Sequence, residues 1–242
     1  MKELRVATWN LARPLPGSVR AARLSAHIAR ADADIWVFTE SHVAVDPGSA
    51  YELVARSTRL GAHDDECWVA IWSRVGGASV PCSDSDRSAV MRLEAVGSRP
   101  MTIYGSVLPW LGSRWRDHAA TKGAAFAASL SLQATEWRAW AALGHLCVAG
   151  DFNQDLLSFG HYYGSRVNRS LLGTALEHAS LTCPTSDAVS AHTGGELAGI
   201  DHICLTAGLA PSAESRIVWP ARHERAGVLS DHFGISLRVS AS

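Results

Sequence analysis

The sequence predicts an α/β fold in which two packed β-sheets are covered by helices on the outside. Three observations lead to this prediction. Strand-like runs outnumber helical ones, the chain opens with a strand–helix–strand unit, and the β-rich middle is divided by clusters of Gly, Asp and Pro. A β-first pattern with only two or three helical segments is typical of sheets that pack on each other beneath helices.

The first three elements form the opening unit. Residues 4–8 alternate and are rich in β-formers, and the run stops at Trp9-Asn10. Residues 18–31 carry small apolar side chains at helical spacing beside arginines, with Ser18 as the expected N-cap. A second buried strand, residues 34–40, ends on the carboxylate of Glu40. This spacing predicts a βαβ unit.

The rest of the chain continues the β-rich pattern. Four strands are predicted at residues 51–55, 68–73, 89–96 and 102–107. Residues 115–142 are rich in Ala and contain no Pro, which predicts one long helix or two short ones. A strand at 146–151, a helix at 168–179 and strands at 200–205 and 233–239 complete the prediction.

Composition favours one globular domain spanning residues 1–242. The chain has 242 residues, 47% of them hydrophobic, and it contains no linker-like stretch or internal repeat. The formal net charge of -1 argues against a protein that is held to nucleic acid by a broad basic surface. No run approaches the roughly 18 apolar residues of a membrane span. Five cysteines without metal-ligand spacing indicate reduced thiols and a cytoplasmic protein.

The run from Val148 to Asp155 is the most informative stretch of the chain. An apolar strand ends at Gly150, and Asp151, Asn153 and Asp155 follow at alternate positions. If the extended conformation continues, these three side chains leave the strand on one face. An ordinary turn rich in Asp and Asn remains an equally good interpretation of this stretch alone.

Polar groups also stand at the edges of the other strands. They are Asn10, Glu40, Asp151 with Asn153, Asp201, and Asp231-His232. Carboxylate and amide oxygens suit a hard divalent cation, which takes one or two carboxylates from the protein, here Glu40 with Asp231 or Asp151. An Asp beside a His fixes its tautomer and stabilises its cationic form. The sequence contains no serine-nucleophile motif or P-loop, so we expect water to be the nucleophile.

Six short motifs resemble the endonuclease/exonuclease/phosphatase superfamily, in that family's order and over nearly the whole chain. They lie at residues 8–10, 38–41, 68–74, 150–153, 200–203 and 230–232. The resemblance implies a four-layer α/β sandwich, two mainly antiparallel β-sheets flanked by helices. It also implies hydrolysis of phosphate esters with Mg²⁺ or Mn²⁺.

The resemblance implies a role for each matched residue. Glu40 would be the principal metal ligand, Asn10 would lie beside the metal and the phosphate, and Asp231 would complete the metal side. Asp151 would orient or deprotonate the attacking water, and Asn153 would donate to the phosphoryl oxygens. Asp201 would orient His232, which would contact the phosphate and assist proton transfer.

Two positions depart from the family pattern. Many nucleases of the family have an acidic residue where this chain has Ala12, and many have a Tyr or His where it has Val107. The usual aid to the leaving group is then missing or comes from elsewhere in the chain. His118 and His161 are candidates to supply it.

The loop at residues 109–116 interleaves aromatic residues with arginines. Trp110, Arg114 and Trp115 suit stacking on a base and pairing with a phosphate, although a tryptophan-anchored cap on the sheet edge is equally consistent. We therefore expect a phosphodiesterase or nuclease acting on a short or single-stranded nucleic acid or a small phosphodiester, without a membrane or protein partner. The alternatives are a phosphomonoesterase on a small soluble phosphate and a non-catalytic phosphate-binding relative.

Overall fold

The computed structural model describes residues 3–58, 65–117, 123–157, 163–219, 222–223 and 227–241. These residues form two β-sheets that lie face to face, with helices on the outside. The strands of the first sheet are β1 (Glu3–Asn10), β2 (Ile35–His42), β3 (Glu52–Arg56), β4 (Glu66–Ser73), β11 (Leu209–Pro211), β12 (Ile217–Trp219) and β15 (Gly234–Ala241). Those of the second are β5 (Ala78–Val80), β6 (Ser88–Val96), β7 (Arg99–Val107), β8 (His145–Asp151), β9 (Leu181–Thr182) and β10 (Asp201–Thr206).

Each sheet is antiparallel except at one central pair. The first sheet has the order β11-β15-β1-β2-β4-β3, with β12 also paired to β15, and its parallel pair is β1 with β2. The second has the order β5-β6-β7-β8-β10-β9, and its parallel pair is β7 with β8. A separate ribbon joins β13 (Arg222–His223) to β14 (Gly227–Val228). The parallel pairs need crossover connections, and a helix supplies each one.

Helices cover both outer faces and make four layers. They are α1 (Val19–Arg30), α2 (Ala124–Leu143), α3 (Arg166–His178) and the short α4 (Ala188–His192), with a single 3₁₀ turn at Ala213–Ser215. One apolar core lies between the sheets, a second joins the outer face of the second sheet to α2 and α3, and a third joins the first sheet to α1. The predicted four-layer α/β sandwich is confirmed.

The predicted elements are present, and the main difference lies at the start of α2. Ser18 caps α1 as predicted, since its side chain accepts a hydrogen bond from Ala21 N at 3.1 Å. The helix predicted at 115–142 begins at Ala124, and residues 115–117 form a bridge and a turn. Helix α3 begins two residues before the prediction because the Ser165 hydroxyl caps it. No helix of the described residues has both the length and the apolar character that a membrane crossing requires.

Gly150 lets β7 and β8 approach closely just before the strand-end carboxylate. Its φ is +141°, and a Cβ built there would lie 2.0 Å from the carbonyl oxygen of Ser106. Only glycine combines this backbone conformation with this contact.

We expect Gly150→Ala to lower the free energy of unfolding by about 2–4 kcal/mol, from backbone strain together with overpacking. The matched control is Gly173→Ala in α3, where a Cβ meets nothing within 4 Å. It should raise stability by about 0.5–1 kcal/mol, as alanine does in a helix interior. Urea unfolding of both variants measures the difference, and equal effects would contradict the close approach at Gly150.

Candidate active site

The register of the second sheet places two carboxylates side by side. Asp151 ends β8, Asp201 begins β10, and the two residues pair directly across the antiparallel ladder. Directly opposed residues project to the same face of a sheet. On the other side of Asp151 the parallel partner is Val107, a fully buried apolar side chain that offers no polar group.

Asp151 is buried and held by three donors. Asn153 donates its backbone N–H to Asp151 Oδ1 at 2.8 Å and its amide Nδ2 to Oδ2 at 3.0 Å. Asn10, at the end of β1, donates Nδ2 to the same Oδ2 at 3.1 Å. Burial, together with the charges of Asp201 and Glu40, nevertheless raises the pKa of Asp151 to about 7.

The backbone turns sharply at Asn153, so the predicted extension of β8 is wrong. Asn153 has a φ of +49°, a left-handed conformation that asparagine tolerates. Its amide also donates to Leu108 O at 3.0 Å, which together with the bond to Asp151 engages both amide hydrogens. Asp155 does not join Asp151 on one face; it is fully buried and pairs with Arg169 at 3.1 Å.

Asp201 and His232 form a close pair. Nδ1 of His232 lies 2.6 Å from Asp201 Oδ2. Burial by itself would lower the pKa of His232, but the charges of Asp201, Asp151 and Asp231 and the bond to Asp201 raise it to about 10. Nε2 then carries a proton and is directed away from Asp201, so the ring can donate a hydrogen bond to an anion.

Ser230 fixes the segment that carries His232 to the first sheet. Its hydroxyl donates to Asn10 O at 2.6 Å and accepts from His232 N at 3.1 Å. Trp9 also donates its indole N–H to His232 O at 3.0 Å. The end of β1 therefore positions both Asp151 and His232.

Glu40 lies at the mouth of the site in a strained backbone conformation. Its φ is +45°, which is uncommon for a residue other than glycine and costs backbone strain. Arg13 contacts its carboxylate at 3.0 Å, and Asn10 Nδ2 lies 3.4 Å from it. The amide oxygen of Asn10 accepts the N–H of Ala12 at 2.9 Å, so Asn10 faces the carboxylates as a donor.

The donor set fits a hard divalent cation. Among the described residues, the side chains of Asp151, Asp201 and His232 form one compact group, with one oxygen or nitrogen atom of each within 4.8 Å of the others. Because the His232 ring is protonated, the carboxylates of this group, and not the imidazole, could face a cation. The second oxygen of Asp201, Oδ1, is buried without a hydrogen-bond partner. Glu40 and Asp231 stand outside this group; the side chain of Asp231 is 75% exposed, and its Oδ1 lies 3.9 Å from His232 Nε2. Burial and the charges of Asp201 and Glu40 raise the pKa of Asp151, and a cluster of carboxylates of this kind suits a bound cation.

The loop at 109–116 divides into an exposed part and a buried part. Trp110 is 38% exposed and open to a ligand, whereas Trp115 is only 6% exposed and donates to Asp84 Oδ1 at 3.2 Å. The guanidinium of Arg116 stacks 4.5 Å from the ring centroid of Trp115. Trp115 therefore anchors the loop, in agreement with the cap interpretation, and is not placed for stacking on substrate. Arg114 is exposed, and its carbonyl accepts a long bond of 3.4 Å from Arg87.

Sequence reasoning missed an aromatic and cationic surface beside Glu40, which we call the tryptophan rim. It consists of Trp68, Trp110, Arg13 and Arg87. The two indole rings lie 6.2 Å apart, and the Arg87 guanidinium stands 4.0 Å from the Trp68 centroid and 5.7 Å from that of Trp110. Arg13 approaches the Trp68 ring at 5.7 Å. The sequence analysis placed Trp68 on a strand and in one of the six motifs, but did not predict its contact with Trp110, because contact between β4 and the loop depends on how the two sheets meet.

A cavity of about 380 Å³ lies beside the Asp201–His232 pair. Asp201, Asp231 and His232 line it together with Tyr163 and an apolar wall, which is formed by Val189, Leu197, Ile200 and Phe233. Tyr163 was not among the predicted residues. The two histidines proposed to aid the leaving group, His118 and His161, lie outside the described residues.

Comparison with solved structures identifies the architecture. The chain is similar over its full length to an endonuclease/exonuclease/phosphatase from Beutenbergia cavernae DSM 12333, with 17% identity, a TM-score of 0.65 and 72% of that chain covered. It is also similar to an AP endonuclease from Archaeoglobus fulgidus, with 16% identity and a TM-score of 0.68 over 97% of this chain and 98% of that one. A third likeness is to D. rerio TDP2 complexed with single strand DNA product, with 13% identity and a TM-score of 0.68 over the whole of both chains.

These likenesses show that the chain has the endonuclease/exonuclease/phosphatase fold, as the six motifs predicted. No family model matches the sequence, and no curated protein matches it.

We expect the His232 ring in the metal-free protein to stay protonated well above neutral pH, because its pKa is about 10. Asp201→Asn should lower that pKa, since the Asp201 charge is the largest of the raising causes. The contribution of the Asp201–His232 pair to the free energy of unfolding should be fully present below pH 6.5 and be lost as the pH rises through about 10. NMR titration of the ring, assigned with His232→Gln, measures the pKa. A parent value near 6.5 would contradict the strength of the pair.

Proposed function

We propose that the protein is a metal-dependent phosphoesterase that uses Mg²⁺ or Mn²⁺ and acts first on phosphodiesters. One observation carries the proposal. A buried carboxylate, Asp151, is held by amide donors directly beside an Asp201–His232 pair, at the edge where the two sheets meet. The AP endonuclease and the TDP2 structure with single strand DNA product share this fold, which supports the same class of reaction.

Asp151 is suited to orient the attacking water and take its proton. General bases work best with a pKa close to the working pH, and burial raises the pKa of Asp151 to about 7. The bonds from Asn10 and Asn153 fix the direction of its lone pairs. Because both amide hydrogens of Asn153 are engaged, its role in this geometry is to position Asp151 rather than to donate to the phosphoryl oxygens.

His232 is suited to stabilise the phosphoryl oxygens and to move a proton. Its raised pKa keeps the ring cationic, and Asp201 holds Nδ1 so that Nε2 is directed to the cavity side. Donors that are already in place when negative charge grows on the substrate lower the barrier without reorganisation. Asp201 acts through His232 and is a positioning residue.

The cation would be held on the Glu40 side of the site, with Asp231 beside His232. When bound, the metal polarises the phosphoryl oxygens and offsets their charge. Glu40 is partly exposed, and among the described residues one of its carboxylate oxygens has only a long contact from Asn10, so it is the ligand we favour. Arg13 bonds its other oxygen and would hold the carboxylate in place. Asn10 would assist as a donor, because its own oxygen is bonded to Ala12.

The tryptophan rim favours a phosphodiester with an attached base over a small soluble phosphate. Trp110 is exposed and offers a ring face, whereas the ring of half-buried Trp68 already contacts the buried Arg87. The exposed Arg13 supplies positive charge beside Glu40. Bases stack on such rings irrespective of sequence. A net charge of -1 gives no broad basic surface for duplex DNA, so we infer a short or single-stranded substrate.

Two other functions make different predictions. A phosphomonoesterase would hydrolyse small monoesters with no dependence on the rim. A non-catalytic phosphate binder would have no need of the Asp201–His232 pair, which is intact here. Assays of the purified protein with Mg²⁺ or Mn²⁺ on monoesters, diesters and single-stranded DNA discriminate among the three.

Activity should require added divalent cation and be abolished by a chelator, because the expected ligands are oxygen donors. Glu40→Gln should shift the metal concentration needed for half-maximal activity. His232→Ala should lower turnover by about 10²–10⁴-fold without that shift, as loss of an acid–base group does. The matched control is His42→Ala; His42 is the last residue of β2, and its Nδ1 accepts a hydrogen bond from Ala44 N at 3.1 Å. Activity that survives exhaustive chelation would refute the proposal.

Trp110→Ala should weaken binding of a nucleotide-containing diester by about 1–3 kcal/mol per stacked base and raise its KM. An aryl diester without a base should be hardly affected. Trp115→Ala is the contrasting variant; it should lower the free energy of unfolding by about 3–5 kcal/mol, since Trp115 is buried. Steady-state kinetics and urea unfolding separate the two effects. If Trp110→Ala affects both substrates alike, the rim does not bind a base.

A further inference from the structure

Tyr163 lines the cavity beside His232, and the proposed function assigns it no role. Its side chain is 44% exposed and lines the same 380 Å³ space as Asp231 and His232. Its hydroxyl makes no hydrogen bond to any of the described residues. The residue follows the turn at Asn153 and precedes α3, so it belongs to the segment that carries Asp151.

Two fully buried polar side chains hold the backbone of Tyr163. Asp155 accepts the N–H of Tyr163 at 3.0 Å, and Gln154 donates Nε2 to its carbonyl at 2.8 Å. Gln154 Oε1 also accepts the N–H of Ser165 at 3.0 Å, the residue that caps α3. Buried polar groups are costly unless they are bonded, and these bonds engage Gln154 and Asp155 Oδ2 by holding the backbone of Tyr163 and Ser165.

The rest of the segment is built around the same contacts. Arg169 of α3 pairs with Asp155 at 3.1 Å, and His202 of β10 bonds the Gln154 carbonyl at 3.0 Å. Gly164 has a φ of +80°, and a Cβ there would lie 2.1 Å from Gln154 Oε1. A side chain larger than hydrogen at 164 would therefore displace the Gln154 side chain, which holds the carbonyl of Tyr163. The turn at Gly164, the Ser165 cap and the bonds from Gln154 and Asp155 together place the Tyr163 phenol at the cavity.

The chemistry of the hydroxyl complements the rest of the site. Burial and the charges of Asp151, Asp231 and Glu40 raise the pKa of Tyr163, so the phenol stays protonated and can donate. When ionised, the carboxylates around it can only accept, and the amides of Asn10 and Asn153 already donate to Asp151. A phosphate ester presents acceptors only. Among the described side chains that line the cavity, His232 is a cationic donor and Tyr163 is a neutral one.

We propose that Tyr163 contacts the substrate directly, its hydroxyl donating a hydrogen bond to a phosphoryl oxygen of the ester bound in this cavity. The inference rests on the proposed function, since it names a further contact of the same site. No proton leaves the phenol in this role. A hydrogen bond to a charged acceptor is worth about 10–100-fold in binding or rate.

The test compares Tyr163→Phe, Tyr163→Leu and a control that loses a hydroxyl elsewhere. The control is Tyr51→Phe, whose hydroxyl donates to the carbonyl of Ala33. Two quantities are measured in the presence of Mg²⁺: the affinity for inorganic phosphate by calorimetry, and kcat/KM for bis(p-nitrophenyl) phosphate. Both Tyr163 variants should lose about 10–100-fold in each, with an unchanged melting temperature because the ring is exposed. Tyr51→Phe should keep both.

The outcomes separate this inference from the proposed function. If Tyr163→Phe keeps parent values while Tyr163→Leu loses them, the ring acts by contact area and the donor role is overturned. Parent values in both variants overturn it equally. If the parent binds phosphate but hydrolyses no ester, the proposed function fails and phosphate affinity alone decides the role of Tyr163. A parent that neither binds phosphate nor hydrolyses esters refutes both.

Discussion

The carboxylate of Asp151 is the constraint on which the rest of the site depends. A buried carboxylate must be bonded on nearly every lone pair, and the donors here come from both sheets. Asn153 follows in the same chain segment, whereas Asn10 reaches across from the end of β1. Through Ser230 the same end of β1 also fixes the segment of His232. The apolar core brings the ends of β1 and β8 near each other, and the hydrogen bonds to the buried Asp151 carboxylate then connect them.

Local strain is concentrated where these strand ends meet. Glu40 and Asn153 both have positive φ, as do Ala12 and Arg13 on the loop that touches Glu40. Each such residue costs on the order of 1–3 kcal/mol, so it persists only where the surroundings enforce it. The apolar layer between the sheets supplies that rigidity. The consequence is a set of polar groups that is already oriented before a ligand arrives, with little ordering left to occur on binding.

The sequence determined the strand ends well and the contacts between them poorly. Alternation and apolar runs located Glu40, Asp151 and Asp201 on their strands, because each depends on residues next to it in the chain. Asp155 was misplaced because the left-handed turn at Asn153 breaks the alternation. Trp68 and Tyr163 could not be predicted, since one depends on how two sheets meet and the other on buried Gln154 and Asp155. Trp115 and Trp110 lie in the same loop, and the sequence does not show that Trp115 is buried and bonded to Asp84, because Asp84 is distant in the chain.

The two sides of the site divide recognition into separate physical tasks. On the side of Glu40, the rim presents the exposed ring of Trp110 and the exposed guanidinium of Arg13, which under the proposed function would bind planar and anionic parts of a ligand. On the side of His232, the cavity offers one cationic donor, one phenol and an apolar wall. Asp151 lies in the second sheet and is bonded to Asn10 of the first, so it stands at the junction of both. Under the proposed function, a chain with a net charge of -1 would bind an anionic ester by a few oriented groups, because their directions, rather than a broad positive surface, would determine the fit.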